Sequence, residues 1–288
     1  MKLLSFGEIL WDVYPDNKKI GGAPLNFAAH FSKQGGDAYM LSSVGDDELG
    51  SLALESVKSF GIKTDYINIS EKETGKCLVT LDENQIPSYN LLDGVAWDYI
   101  ENKNVLSEDF DVLYFGTLAL RHGENRKFLK SIIEVGHFKE IFVDVNIRAP
   151  YYNKENILFC LTYATILKIS DEELPIILDA LGMGYSDNLK DIASKISEKY
   201  SKIKLIIITL GSKGSGAYDV QNRVFETADC VKVKVVSTVG AGDSFSATFL
   251  SEYFKGKSVK SCLEFASKIA AYVVSEYAAV PEYNIKDF

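Results

Sequence analysis

The sequence predicts a three-layer α/β protein: a central, mostly parallel sheet flanked by helices, with a small antiparallel β insert. Three observations carry this. Strand-like and helix-like runs alternate from the first residues. Ile141 to Val145 is a continuous apolar run, the pattern of a strand buried on both faces. Residues 64 to 98 contain three strand-like runs with no helix between them. The 288 residues suffice for one large α/β domain or two small ones, and a single domain spanning 1–288 is expected.

Taken in order, Leu3 to Ile9 reads as a first strand, with the polar pair Glu8 and Asp12 at its end. Pro15-Asp16-Asn17 is a turn. Gly21-Gly22-Ala23-Pro24 opens a helix over Leu25 to Gln34, closed by Gly35-Gly36. Ala38 to Val44 is a strand, and Gly45-Asp46-Asp47-Glu48 starts a helix that ends before Gly61. The insert follows, with strands over Tyr66 to Ile69, Lys76 to Asp82 and Ser88 to Leu92, and a turn at Glu83-Asn84. Together with residues 13–20 it would form a lid over a cleft.

Alternation resumes with strands at Val112 to Phe115 and Ile141 to Val145, and helices at Glu124 to Val135 and Asn156 to Tyr163. Ile166 to Ile169 is a strand leading to an N-cap and acidic first turn at Ser170-Asp171-Glu172-Glu173. A helix over Leu189 to Lys199 precedes a strand over Leu205 to Thr209. Gly214 to Tyr218, Arg223 to Glu226 and Val231 to Val236 read as an antiparallel edge, before two helices over Ala241 to Phe254 and Val259 to Tyr277.

The net charge is -9, with no Lys/Arg block, which argues against nucleic acid or an anionic membrane as partner. Cys77, Cys160, Cys230 and Cys262 form no CxxC and sit among apolar residues, as reduced buried thiols do. His30, His122 and His137 lack metal-ligand spacing. No charged-then-apolar leader and no 18-residue apolar run is present, so a soluble, cytoplasmic protein is expected.

The stretch with the most chemistry is Ser237-Thr238-Val239-Gly240-Ala241-Gly242-Asp243. Glycines at a helix start let backbone N–H groups and the helix dipole face an anion. Asp243 would repel a phosphate unless it takes a proton from a hydroxyl that attacks the phosphate. The alternative is an ordinary glycine turn with an acid in the helix's first turn. Gly21, Gly22 and Asn26 could approach a polyhydroxylated ligand or could simply start a helix. Asp12 could accept sugar hydroxyls or be a solvated loop acid. Asp144, Asn146 and Arg148 alternate, and so would share one side of an extended segment. Arg148 could clamp a phosphate and Asp144 bind hydrated Mg²⁺, or the two could pair internally. Thr209-Leu210-Gly211-Ser212-Lys213-Gly214 is a strand and glycine loop suited to a nucleotide, as well as to a plain turn. These clusters would follow strands and converge on one sheet edge. Gly256-Lys257-Ser258 is no P-loop, because position 251 is Ser, and Gly240-Ala241-Gly242 lacks the third glycine of a dinucleotide fingerprint.

In this order the motifs resemble those of the PfkB (ribokinase-like) carbohydrate kinases over nearly the whole chain. GGAPLNFA at 21–28 resembles the first family signature, and the segment up to Gly240-Ala241-Gly242-Asp243 the second. Between them stand Asp-Val-Asn-Ile-Arg at 144–148, Lys168 to Glu173, and the Thr209–Gly214 loop. The resemblance implies a ribokinase-like fold with a sugar-covering lid, and ATP-dependent phosphorylation of a primary hydroxyl. Asp243 would be the base, with Gly240, Ala241, Gly242 and Arg148 stabilising charge. Asp12, Gly21, Gly22 and Asn26 would hold the sugar. Lys168, Ser170, Thr209, Gly211, Gly214 and Ser267 would line the ATP site, with Glu173 and Asp144 near Mg²⁺.

Gly7 to Asp12 and GGAPLNFA are most similar to fructokinase-like members, which makes fructose the first expectation, with 2-keto-3-deoxygluconate or ribose as alternatives. A non-catalytic sugar- or nucleotide-binding regulator is the alternative of another class. Ser237 stands where relatives carry an Asp that helps hold a monovalent cation, which puts that cation in question. Leu92-Asp93 stands where relatives carry a lid arginine. Leu78, Leu81, Tyr89 and Leu91 suggest an apolar lid face on which a homodimer could form.

Overall fold

The computed structural model describes residues 1–81, 87–102 and 108–288. The first strands are β1 (Lys2–Phe6), β2 (Leu10–Val13) and β3 (Lys18–Gly21), followed by α1 (Ala23–Lys33), β4 (Asp37–Gly45), α2 (Glu48–Ser59) and β5 (Ile67–Ser70). Next come β6 (Gly75–Leu81), β7 (Pro87–Leu91), β8 (Val112–Phe115), α3 (Gly123–Val135), β9 (Glu140–Asp144), α4 (Lys154–Tyr163) and β10 (Ile166–Ser170). The remainder is α5 (Leu174–Leu181), α6 (Leu189–Lys199), β11 (Leu205–Thr209), β12 (Ser215–Asp219), β13 (Val224–Ala228), α7 (Ala241–Phe254) and α8 (Val259–Val274).

A nine-stranded sheet runs β13-β12-β11-β10-β9-β8-β1-β4-β5. From β11 to β5 all neighbours are parallel, and β12 and β13 add an antiparallel edge. Side chains alternate between its faces. Leu4, Phe6, Leu113, Phe115 and Val143 pack on the face covered by α3 to α6. Leu3, Val112, Tyr114 and Phe142 pack on the other face with α1, α7 and α8. Both faces are buried, which is why the central strands read as unbroken apolar runs.

The second sheet, β3-β2-β6-β7, is small. β2 is antiparallel to β3 and β6 to β7, whereas β2 and β6 run parallel.

Several sequence expectations change. The strand expected over Leu3 to Ile9 stops at Phe6. Gly7 leaves the sheet at a φ of 149°, and the chain re-enters as β2 of the small sheet. Asp12 therefore lies inside a strand of the small sheet, not after a strand of the large one. The expected insert strand near Tyr66 to Ile69 instead pairs with β4 at the edge of the large sheet. The small sheet thus draws on 10–21 and 75–91, not on 64–70. The turn expected at Glu83-Asn84 lies outside the described residues. Val231 to Val236 forms no strand; Val233 is 40% and Val235 62% exposed, with no partner strand among the described residues. Leu78 pairs with Asn90, while Tyr89 pairs with Val79 and Leu91 with Cys77. Facing residues share a side, so Leu78 points away from Tyr89 and Leu91 and the expected single apolar face is split.

Candidate active site

In the large sheet the connections from β1 run outward to β4 on one side, and β8 begins the run on the other. Open α/β sheets bind ligands beyond the carboxyl ends of strands at such a reversal. Glu8, Gly116, Thr117 and Asn146, at the ends of β1, β8 and β9, line a narrow cleft there with Ala23 and Tyr114.

α7 starts at this edge. Its N-cap, Gly240, has a φ of 81°, and a Cβ there would lie 2.4 Å from the carbonyl oxygen of Ala279. Only glycine fits this turn. Ala241 N–H donates to Thr238 O at 3.3 Å. The N–H groups of Gly240, Gly242 and Asp243 have no hydrogen-bond partner among the described residues. Three free donors at the positive end of a 14-residue helix are an arrangement that can receive an anion. The Lys168 ammonium adds charge, since its Nζ lies 3.5 Å from where a Cβ on Gly242 would stand.

Asp243 sits in this first turn, and its carboxylate Oδ2 accepts from Asn26 Nδ2 at 2.9 Å. Burial pushes the Asp243 carboxyl above its ordinary pKa. The Asn26 hydrogen bond and the charges of Arg148 and Lys168 oppose that rise. α1 holds Asn26 in place because Gly22 brings the helix start against Glu8: a Cβ on Gly22 would lie 2.3 Å from Glu8 O.

A second buried cluster joins the ends of β9 and β10. Lys168 Nζ lies 3.1 Å from Asp144 Oδ1. Burial pulls the lysine's pKa down, but Asp144, Glu173 and Asp243 outweigh it and hold the ammonium form. Glu173 Oε1 accepts from Ile147 N–H and Oε2 from Ser170 N–H, both at 2.7 Å. Ser170 Oγ accepts in turn from Glu173 N–H at 3.3 Å. Each Glu173 oxygen keeps a second lone pair, so the donor set fits a hydrated hard cation held through water.

Asn146 takes a φ of 44°, which breaks the extended alternation expected over 144–148. Asp144 turns into the sheet and is buried, whereas Arg148 is exposed beyond it. Arg148 still lies close enough to lower the pKa values of Glu8, Asp12 and Asp243 by its charge. Asp12 is partly buried next to Gly21, where a Cβ would stand 3.1 Å from its Oδ2. Thr209 ends β11 beside Ser170, and Gly211 and Gly214 form the loop into β12. Ser267 lies on the buried face of α8, which packs against β12 and β13.

Two groups at the site carried no assigned role in the sequence reading. Glu8 is 3% exposed; burial lifts its pKa to about 7, although Ala23 N–H donates to its Oε1 at 3.3 Å. Thr117 Oγ1 donates to Val145 O at 2.8 Å, tying the end of β8 to that of β9. The signal for Thr117 was present: a polar residue two positions after a buried apolar strand, beyond Gly116.

Asp93, Asp98 and His122 bring ligand atoms within 4.8 Å of one another beside the small sheet. Asp98 is already committed, because Arg121 Nε and Nη2 each donate to it at 2.7 Å. A cation there would compete with a guanidinium. No described helix is long and apolar enough to cross a membrane.

Comparison with known proteins agrees with this geometry. Residues 6–284 match the pfkB family carbohydrate kinase model. Probable fructokinase-4 of Arabidopsis thaliana is 28% identical, over 97% of this chain and 92% of its own. Fructokinase of Solanum tuberosum is 26% identical, over 97% and 91%. Among solved structures, a sugar kinase of Pyrococcus horikoshii in complex with ATP superposes with a TM-score of 0.82 at 26% identity, covering 99% of this chain and 96% of that one. A 2-dehydro-3-deoxygluconokinase of Thermotoga maritima shares the fold, with a TM-score of 0.84 at 20% identity over 100% and 98%. The chain belongs to the PfkB family of carbohydrate kinases.

Proposed function

We propose that this kinase transfers the γ-phosphate of ATP to the primary hydroxyl of a small sugar, fructose first, giving fructose 6-phosphate. The observation that carries the reading is a buried, Asn26-oriented carboxylate at Asp243 in the same helix turn as three unpartnered N–H donors. A base and an anion site within one turn suit a hydroxyl attacking a phosphoryl group. Phosphoryl transfer asks for little beyond positioning and charge stabilisation.

In this reading Asp243 takes the hydroxyl proton. Its raised pKa makes it a better proton acceptor than an exposed aspartate, and the Asn26 bond opposes that rise. The N–H groups of Gly240, Gly242 and Asp243, with Lys168, receive the charge of the transferring group. Ala241 contributes shape more than a donor, since its N–H is engaged. Arg148 is exposed at the mouth and free to close on phosphate. Asp12, Gly21, Gly22 and Asn26 face the sugar, and the small sheet serves as lid. Ser170, Thr209, Gly211, Gly214 and Ser267 lie toward the nucleotide. Glu173 and Asp144 would hold Mg²⁺ through water; the ion supplies charge neutralisation at the phosphates when bound. The cellular location is taken as cytoplasmic, where ATP and free sugars meet. Two copies are taken to associate through the small sheet, along its edge strand β7; a monomeric mass in solution would remove that part.

The test is a coupled ADP-release assay over a panel of sugars, with kcat/KM compared for fructose, 2-keto-3-deoxygluconate and ribose. Fructose is expected to lead. A lead for another sugar moves the substrate and keeps the chemistry. No ADP above the no-sugar control with any of them favours a binding regulator.

A further inference from the structure

α1 and its C-cap residue carry a buried polar stripe at four-residue spacing: Asn26, His30 and Gln34, which are 5%, 0% and 7% exposed. Residues so spaced lie on one helix face. Asn26 reaches Asp243, and Gln34 Nε2 donates to Thr248 Oγ1 at 3.1 Å, so both ends of the stripe grip α7. His30, between them, reaches instead to the C-terminal segment. Its Nε2 lies 2.9 Å from Ala279 O and its Nδ1 2.8 Å from Tyr283 Oη. A carbonyl can only accept, so Nε2 carries the proton and Nδ1 accepts from the tyrosine hydroxyl. Burial lowers the His30 pKa to about 4, consistent with this neutral tautomer.

Ala279 is the residue on which Gly240 rests: a Cβ on Gly240 would stand 2.4 Å from the same carbonyl oxygen that His30 holds. The approach to the turn is tied to this region a second time, since Val236 and Ser237 N–H both donate to Val274 O. α1 thus grips the turn on both sides: Asp243 through Asn26, and Gly240 through His30 and Ala279.

We propose that His30 is a positioning residue for the phosphate-binding turn, setting Gly240 and the free N–H groups after it by holding the Ala279 carbonyl. The proposal rests on reading that turn as the phosphate site. His30 touches neither sugar nor nucleotide in this scheme. Its effect is on the placement of donors, to which transition-state stabilisation is sensitive.

The test compares His30→Gln, His30→Asn, His30→Ala and Tyr283→Phe. A glutamine amide reaches about as far as Nε2 and can keep the Ala279 bond, whereas an asparagine amide reaches only the Nδ1 position. Tyr283→Phe removes the Nδ1 bond alone. Each is assayed for kcat and both KM values, for melting temperature, and for amide exchange of the Gly240–Asp243 segment with and without ADP. His30→Asn and His30→Ala are expected to lose about tenfold in kcat, with KM for the sugar moved by less than about twofold and exchange of 240–243 accelerated. His30→Gln and Tyr283→Phe are expected to stay within about threefold of wild type.

Wild-type kcat and exchange in His30→Asn and His30→Ala would overturn the proposal. So would a glutamine variant as impaired as the alanine one. If the alanine variant fails to fold, the glutamine–asparagine comparison decides. Should the wild type phosphorylate no sugar, the functional reading falls, and amide exchange at 240–243 still decides whether His30 sets the turn.

Discussion

Asn26 Nδ2 donates to Asp243 Oδ2 at 2.9 Å, a buried hydrogen bond between the first helix and the seventh. It joins the two family signatures in space, orients the carboxylate and opposes the rise that burial gives its pKa. The proposed chemistry depends on that carboxylate more than on any other group.

Asp243→Asn keeps the shape, and its side-chain oxygen can still accept from Asn26, but it removes the proton acceptor. The expected result is a fall in kcat of about 10³-fold or more with sugar affinity within a few-fold, because base and anion site act as one unit. Single-turnover kinetics and sugar titration separate the two quantities. Lost sugar affinity at unchanged kcat would assign Asp243 to binding.

Asn26→Ala removes the hydrogen bond that opposes the rise of the Asp243 pKa. A base must be ionised to act, so activity is lost as pH falls through its pKa. Raising that pKa moves the acid limb of the kcat/KM profile to higher pH. An acid limb unmoved or moved downward would show that the bond does not tune the base. Loss of the buried pair also costs about 1–3 kcal/mol of stability, readable in denaturant.

Glu173 receives backbone N–H groups on both oxygens. In Glu173→Gln the amide NH₂ replaces one acceptor and faces a donor, leaving a buried N–H unpaired, for about 1–3 kcal/mol of destabilisation. The same change removes a negative charge from the proposed cation site. The Mg²⁺ concentration for half-maximal activity is expected to rise by about tenfold, with KM for the sugar held. Denaturant unfolding and a Mg²⁺ titration read these effects independently.

Ser237 brings a hydroxyl, not a carboxylate, to the approach of the turn, and its Oγ accepts from Val239 N–H at 3.3 Å. A neutral ligand binds a monovalent cation weakly in water. Replacing K⁺ by a bulky organic cation at constant ionic strength is expected to change kcat by less than about twofold. A strong K⁺ requirement would mean that carbonyl oxygens alone suffice there.

Much of the fold was legible because parallel strands and amphipathic helices write strong patterns. The bounds read for β8, α6, β11 and α7 are those observed. The differences have common causes. Hydrophobicity continues through Ile9, which is fully buried, so the change of sheet at Gly7 leaves no mark in apolar pattern. β5 carries the alternation of a strand but no statement of which sheet it joins. The Val/Lys alternation of 231–236 is that of an edge strand, but no strand among the described residues pairs with it. At the site, Asp243, Asn26 and Glu173 stood out through their motifs. His30 did not, because its partner is a backbone carbonyl 249 positions away, and a carbonyl has no sequence identity.

Glu8 lets pH read the burial of the site. Its folded-state pKa of about 7 lies above the ordinary 4.5, and burial is the main cause. The folded protein therefore holds this proton more tightly than the unfolded chain. The resulting stability is fully present below about pH 4.5, is lost as pH rises, and is gone above about pH 7. A difference of that size corresponds to a few kcal/mol, on the order of 1.4 kcal/mol for each tenfold change in proton affinity. Glu8→Gln removes the ionisation and keeps an oxygen for Ala23 N–H. Between pH 5 and about 7.5 the wild type is expected to lose melting temperature more steeply than Glu8→Gln. Some slope remains in the variant, because burial also raises the Asp144 pKa. Equal slopes in the two proteins would place the Glu8 carboxylate in contact with water in solution.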